Sequence, residues 1–230
     1  MMSKLTARGA SVTALLFLSG CGQTLFQSDF DPTPANQPPA PTQAVGTAAI
    51  HGPAGSVIVV APPVTPSGKW VQIGRAVPDS NIAGFQGNFP ATHGAGEYTF
   101  TTTVFMPTGA GVATIQFEAF GQPVSSVDSF LHLDLMPDNT VRIDDVEGTR
   151  FGTFPRDQPF IVQVTLDINP SSSTSHVVLS GAGASGTADR TVPPPLQGMS
   201  LQFGAIRLWM GFPHLGKFDA TNIVVKRKEG

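Results

Sequence analysis

Leu131, Leu133 and Leu135 alternate with His132 and Asp134, so on an extended strand the three leucines share one face and the polar pair takes the other. Pro137, Asp138, Asn139 and Thr140 then read as a turn, and Val141 and Ile143 resume the alternation. This predicts an antiparallel hairpin with the leucine face inward. A second hairpin follows around Asn169, Pro170 and Ser171. There Phe160, Val162, Val164, Leu166 and Ile168 form one apolar row, and Val177 and Leu179 begin the return strand. Similar short runs, bounded by Gly, Pro, Asn or Asp, predict strands over 48–51, 56–61, 69–76, 97–106, 112–120, 200–210 and 218–226. No helical period appears, and the 25 glycines and 21 prolines disfavour helix interiors. The pattern is that of an all-β antiparallel sandwich, placed over 46–230.

The chain before it reads differently. Residues 1–20 carry Lys4 and Arg8, then an apolar run over 12–18 broken by Thr13, then small residues, as in a secretory leader. The run is well short of the roughly 20 residues that cross a bilayer core. At its end Leu18, Ser19, Gly20 and Cys21 resemble the lipobox of bacterial lipoproteins. That resemblance implies cleavage before Cys21, lipid attachment to its thiol and acylation of its new amino group. Two or more acyl chains hold a protein on a membrane where one is marginal. Gly22, and not Asp, follows the cysteine, which by the same resemblance implies the outer membrane, facing the periplasm or the cell surface. Residues 21–45 are polar and proline-rich and read as a disordered tether, extended at about 3.1 Å per residue.

Composition narrows the chemistry. Hydrophobic residues make up 40% of the chain and charged residues only 13%, enough for a sizeable core. Formal net charge is −3, and loss of the leader removes two further positive charges. The basic cluster of Lys226, Arg227 and Lys228 is too short to form the stripe that a phosphate backbone requires, so nucleic acid is excluded as a partner. With a single cysteine, neither an internal disulfide nor a cysteine-based metal cage can form.

From residue 97 onward the strand pattern resembles the jelly roll of concanavalin A-like lectins, glucanases and laminin-G-type modules. The carriers are the run Tyr98 to Val104, the turn at Asp138, Asn139 and Thr140, the long run Phe160 to Asp167, and the closing run Phe218 to Val225. The resemblance implies a concave sheet whose outward side chains bind sugar. Those side chains are Gln116 and Glu118, His132 and Asp134, and Arg207 and Trp209, the last two if Ile206, Leu208 and Met210 face the core. A tryptophan face stacks on a pyranose, and carboxylate, amide and guanidinium groups bind hydroxyls. The same residues also fit a plainer role: Trp209 as a cover for a second apolar face, and His132 with Asp134 as a cross-strand polar pair.

Catalysis has little to stand on. The jelly-roll glucanases carry a Glu-x-Asp-x-Glu strand, and the nearest approach here is Asp145 and Glu147, with Asp144 on the opposite face and Thr149 where a further carboxylate would stand. His51, His93, His132, His176 and His214 make no zinc spacing, and no Gly-x-Ser-x-Gly elbow occurs. Gly181 to Gly186 reads as a flexible loop. By the laminin-G resemblance, Asp138 and Asp144 mark the place to look for a calcium ion, although no metal or cofactor is expected. Three roles remain open: a non-catalytic binding module for glycan or protein, a structural lipoprotein contacting an envelope protein, and a diverged glycoside hydrolase.

Overall fold

The computed structural model describes residues 22–64, 68–77, 81–119, 129–144, 146, 148–170, 172–192 and 202–228. The leader, Cys21, Asp145 and Glu147 lie outside them. The described residues form fourteen strands: β1 (Gly22–Ser28), β2 (Thr47–His51), β3 (Val57–Val60), β4 (Trp70–Arg75), β5 (Ala83–His93), β6 (Gly96–Phe105), β7 (Ala113–Ala119), β8 (Ser129–Leu135), β9 (Val141–Ile143), β10 (Pro159–Ile168), β11 (Ser173–Ser180), β12 (Gly186–Val192), β13 (Phe203–Met210) and β14 (Gly216–Lys228).

They form two antiparallel sheets. The larger has the order β12-β11-β10-β6-β14-β4-β3, with β1 also paired to β14, and the smaller has the order β2-β5-β13-β7-β8-β9. Strands distant in sequence are neighbours, as when β13 inserts between β5 and β7. Alternation builds the core between the sheets. Val162, Val164 and Leu166 from the large sheet, and Leu131, Leu133, Ile206 and Leu208 from the small one, are all at most 2% exposed. Both expected hairpins form. Leu133 pairs with Ile143 and Leu135 with Val141, while Val164 pairs with Val177. Asn139 carries the turn with φ +69°, a left-handed value that asparagine tolerates better than most residues.

Residues 22–45 are not a free tether. Gly22, Gln23 and Thr24 pair with Lys228, Arg227 and Lys226, which makes β1 a neighbour of the last strand. Leu25, Phe26 and Phe30 are buried in the core, with Phe26 and Phe30 set edge-on to Phe85. Further along, Gln27 bridges Val45, and the amide of Asn36 donates to the carbonyl of Val59 at 2.7 Å. Polar residues hid this segment because only a few apolar side chains pin it, and its ladder partner lies about 200 residues away. The loop expected at Gly181 to Gly186 is likewise a tight turn, closed by Ala184 N–H to Gly181 O at 2.7 Å, that opens β12.

Candidate functional site

Register decides which polar side chains meet. On the smaller sheet, Arg207 of β13 pairs with Gln116 of β7, which pairs with His132 of β8. Trp209 pairs with Thr114, which pairs with Asp134, which pairs with Arg142 of β9. Because the core-facing partners of each strand alternate with them, Gln116, Glu118, His132, Asp134, Arg207 and Trp209 all lie on the face turned away from the other sheet. The structure therefore brings the six candidates together.

It does not leave them open. Gln116, Glu118, His132, Asp134 and Arg207 are each 7% exposed or less, and Trp209 alone is half-buried. This differs from the solvent-facing surface expected of a concave sheet. Asp134 holds one dense knot. Its carboxylate accepts from Thr114 Oγ1 at 2.7 Å and from Arg142 Nη2 at 2.7 Å, and His132 Nε2 lies 3.2 Å away. Burial would raise its pKa, but His132, Arg142 and Thr114 together hold it well below the usual carboxylate range.

A second knot surrounds Arg207. Its Nη2 donates to Gln86 Oε1 at 2.6 Å, and Gln86 also reaches His51 Nε2 at 3.0 Å. Arg207 Nε and Glu118 Oε1 approach to 3.0 Å as an ion pair without hydrogen-bond geometry. Burial raises the Glu118 pKa and Arg207 opposes the rise. Burial also lowers the pKa of His51, with the Arg207 charge adding to it.

Between the knots sits Trp209. Its ring stacks on His132 at 5.9 Å between centroids with 28° between planes. Gly84 and Gly211 make room for it, since a β-carbon at Gly211 would fall 2.3 Å from Trp209 Cζ3. Trp209 Nε1, Arg207 Nε and Glu118 Oε1 are buried without a hydrogen-bond partner. An unmet buried polar atom costs about 1–3 kcal/mol, and of these three only Trp209 Nε1 has no partner of any kind, because Arg207 Nε and Glu118 Oε1 face each other as an ion pair.

Sequence reasoning missed His51, Gln86, Thr114 and Arg142. Arg142 was within reach, because it alternates with Val141 and Ile143. His51 and Gln86 depended on β5, whose glycines and Pro90 broke the strand pattern.

The distance between buried carboxylates bears on catalysis. Glu118 stands four residues along β7 from Thr114, the partner of Asp134, so their backbone positions are about 13 Å apart along the strand. Glycosidase pairs stand about 5–10 Å apart. Asp138 is engaged by Arg150 and Thr140, and Asp144 by Arg190 at 2.5 Å. Among the described residues no three histidine, cysteine or carboxylate side chains cluster as metal ligands. A cavity of 570 Å³, lined by Ser56, Gln72, Arg75, Val77 and Lys217 among others, shares no residue with the polar row.

No family model matches the chain, and no curated protein is similar to it in sequence. Solved structures are similar in fold. Lectin II from Ulex europaeus aligns with a TM-score of 0.50 over 83% of this chain and 95% of its own, at 13% identity. Arcelin-5, a lectin-like defense protein from Phaseolus vulgaris, aligns at 0.51 over 82% and 95%, with 6% identity. The fold is the jelly-roll sandwich of lectins and glucanases. The catalytic domain of a glycoside hydrolase family 131 protein from Coprinopsis cinerea belongs to the same group, at 0.50 over 91% and 95% with 12% identity. At such identities the likeness extends to architecture alone.

Proposed function

We propose that this chain is an exported lipoprotein, attached through lipid on Cys21 to the outer membrane, whose jelly roll binds carbohydrate on the face of its smaller sheet without cleaving it. Trp209 carries the reading: a half-buried ring with an unpartnered N–H, set between the Asp134 knot and the Arg207 knot. Sugar hydroxyls accept as well as donate, so a glycan offers an acceptor to the indole N–H while its apolar face covers the ring. The fold shared with lectins supports this.

A glycan array probed with residues 22–230 tests it. The domain must begin at 22, because a chain starting near 45 would lack β1 and its core side chains. Saturable binding that is lost in Trp209→Ala supports the proposal. Absence of glycan binding, together with an envelope protein that co-purifies, would favour a structural role instead. That alternative has its own observation: Val77, Phe212 and Leu215 are exposed by 54%, 65% and 39% on connections at one end of the sandwich. Mass spectrometry of the mature product tests the lipid on Cys21.

A further inference from the structure

We infer that the domain sits directly on the lipid surface, with the end formed by Gly22 and Lys228 against the headgroups. The inference rests on lipid attachment at Cys21, as proposed above, and adds what the strand register says about placement.

Gly22 is already in the ladder, paired with Lys228. Adjacent α-carbons are about 3.8 Å apart, so a lipid on Cys21 joins the domain with essentially no slack. The segment whose composition suggested a stalk is used up in the fold. Leu25, Phe26, Phe30 and Thr33 are buried, Gln27 bridges Val45, and Thr42 bridges Thr47. Drawing it out as a spacer would empty part of the core.

The surface at that end suits phosphate headgroups. Lys226, Arg227 and Lys228 lie opposite the first three residues of β1, so the strand end next to the attachment point carries three basic residues. Acidic Glu97 is beside them, 3.3 Å from Lys228 Nζ. Arg227 also donates to the carbonyl of Ala95 at 3.0 Å, which ties the β5–β6 turn to the same end. The β10–β11 turn joins them, because Ile168 pairs with Gly96.

β14 runs from this end to the opposite one through 13 residues, about 40 Å at the usual strand rise. The connections that carry Val77 and Phe212 stand at that outer end, since Gly216 pairs with Arg75. The polar row runs between the two ends, with Glu118 nearer the lipid and Trp209 farther from it. A ligand is thus met within one domain length of the bilayer and from the side.

The test uses the mature lipidated chain in vesicles of phosphatidylethanolamine and phosphatidylglycerol. The Cys21 thiol is consumed in its thioether, so Ser172→Cys and Val77→Cys each offer one reactive thiol, both at exposed positions. A bimane label at 172, in the inner turn, should be quenched several-fold more strongly by headgroup-attached quencher than a label at 77. Equal and weak quenching at both sites in chains whose mass confirms the lipid would overturn the seating and leave the lipoprotein reading intact. A mature mass with an unmodified Cys21 would overturn that reading, and the seating with it.

Discussion

The ring of Phe26 fills the space that Gly87 leaves by having no side chain: a β-carbon there would fall 2.7 Å from Phe26 Cζ and 2.8 Å from Cε1. β1 of the larger sheet thereby locks onto β5 of the smaller one. Gly87→Ala should therefore destabilise the domain by about 1–3 kcal/mol through overpacking, and Phe26→Ala by about 3–5 kcal/mol through loss of a buried ring. Urea unfolding of both variants checks this. A negligible effect of Phe26→Ala would mean that β1 contributes nothing to the fold.

Asp134 is paired with Arg142 and His132 in a place almost without water. Breaking one side of a buried pair leaves the other charge stranded, so Asp134→Asn should cost about 3 kcal/mol. Thr114→Val removes one hydrogen bond to the same carboxylate and should cost nearer 1 kcal/mol. The pH dependence follows from the lowered pKa of Asp134. Its contribution is present above the unfolded value, about 3.9, and is lost as pH falls through the lower folded one. Below about pH 4 the wild type should lose stability more steeply than Asp134→Asn. Parallel acid limbs would count against the ion pair.

Asp219 behaves in the opposite sense. Burial raises its pKa, and Gln72, whose Nε2 donates to it at 2.9 Å, and Lys217 only partly offset the rise. Its contribution is complete below the unfolded value and declines as pH rises through the folded one. Asp219→Asn lacks that decline. Measured by urea unfolding, its stability relative to wild type should improve from pH 4 to pH 7, and a constant difference would refute the assignment.

Arg156 gathers the outer connections with one planar group. Its Nε donates to Asn139 Oδ1 at 2.7 Å and its Nη2 to the carbonyl of Met136 at 2.9 Å, while its Nη1 reaches the carbonyls of Pro107 and Ala110 at 3.1 and 3.3 Å. The guanidinium also lies 5.4 Å from the centre of the Phe154 ring. Arg156→Lys keeps the charge but loses the fork, so it should lower stability by about 1–3 kcal/mol. Thermal unfolding that matches wild type would show that charge alone suffices.

Legibility in the sequence followed burial. Strands with apolar residues on the core face and polar ones on the other, such as β8, β10 and β13, announced themselves by alternation, and the polar positions of β7, β8 and β13 supplied the six site candidates. β12 did not, because on this edge strand only Ala188 of the described side chains packs against the core. No strand is predicted over β5, where glycines interrupt the alternation; in the fold Gly87 seats Phe26 and Gly84 lies under Trp209, where a β-carbon would come within 3.1 Å of Trp209 Cβ. The site's burial was equally invisible. Alternation reports which face a residue takes, not whether that face meets water.

The pairing of β1 with β14 also dictates timing. The ribosome makes one partner some 200 residues before the other, so the larger sheet cannot be completed until both have emerged. Contacts that distant in sequence form slowly, because a long loop must close first. Until both are present, the backbone groups of Gly22, Gln23 and Thr24 are without their ladder neighbours, and that edge of the sheet stays open.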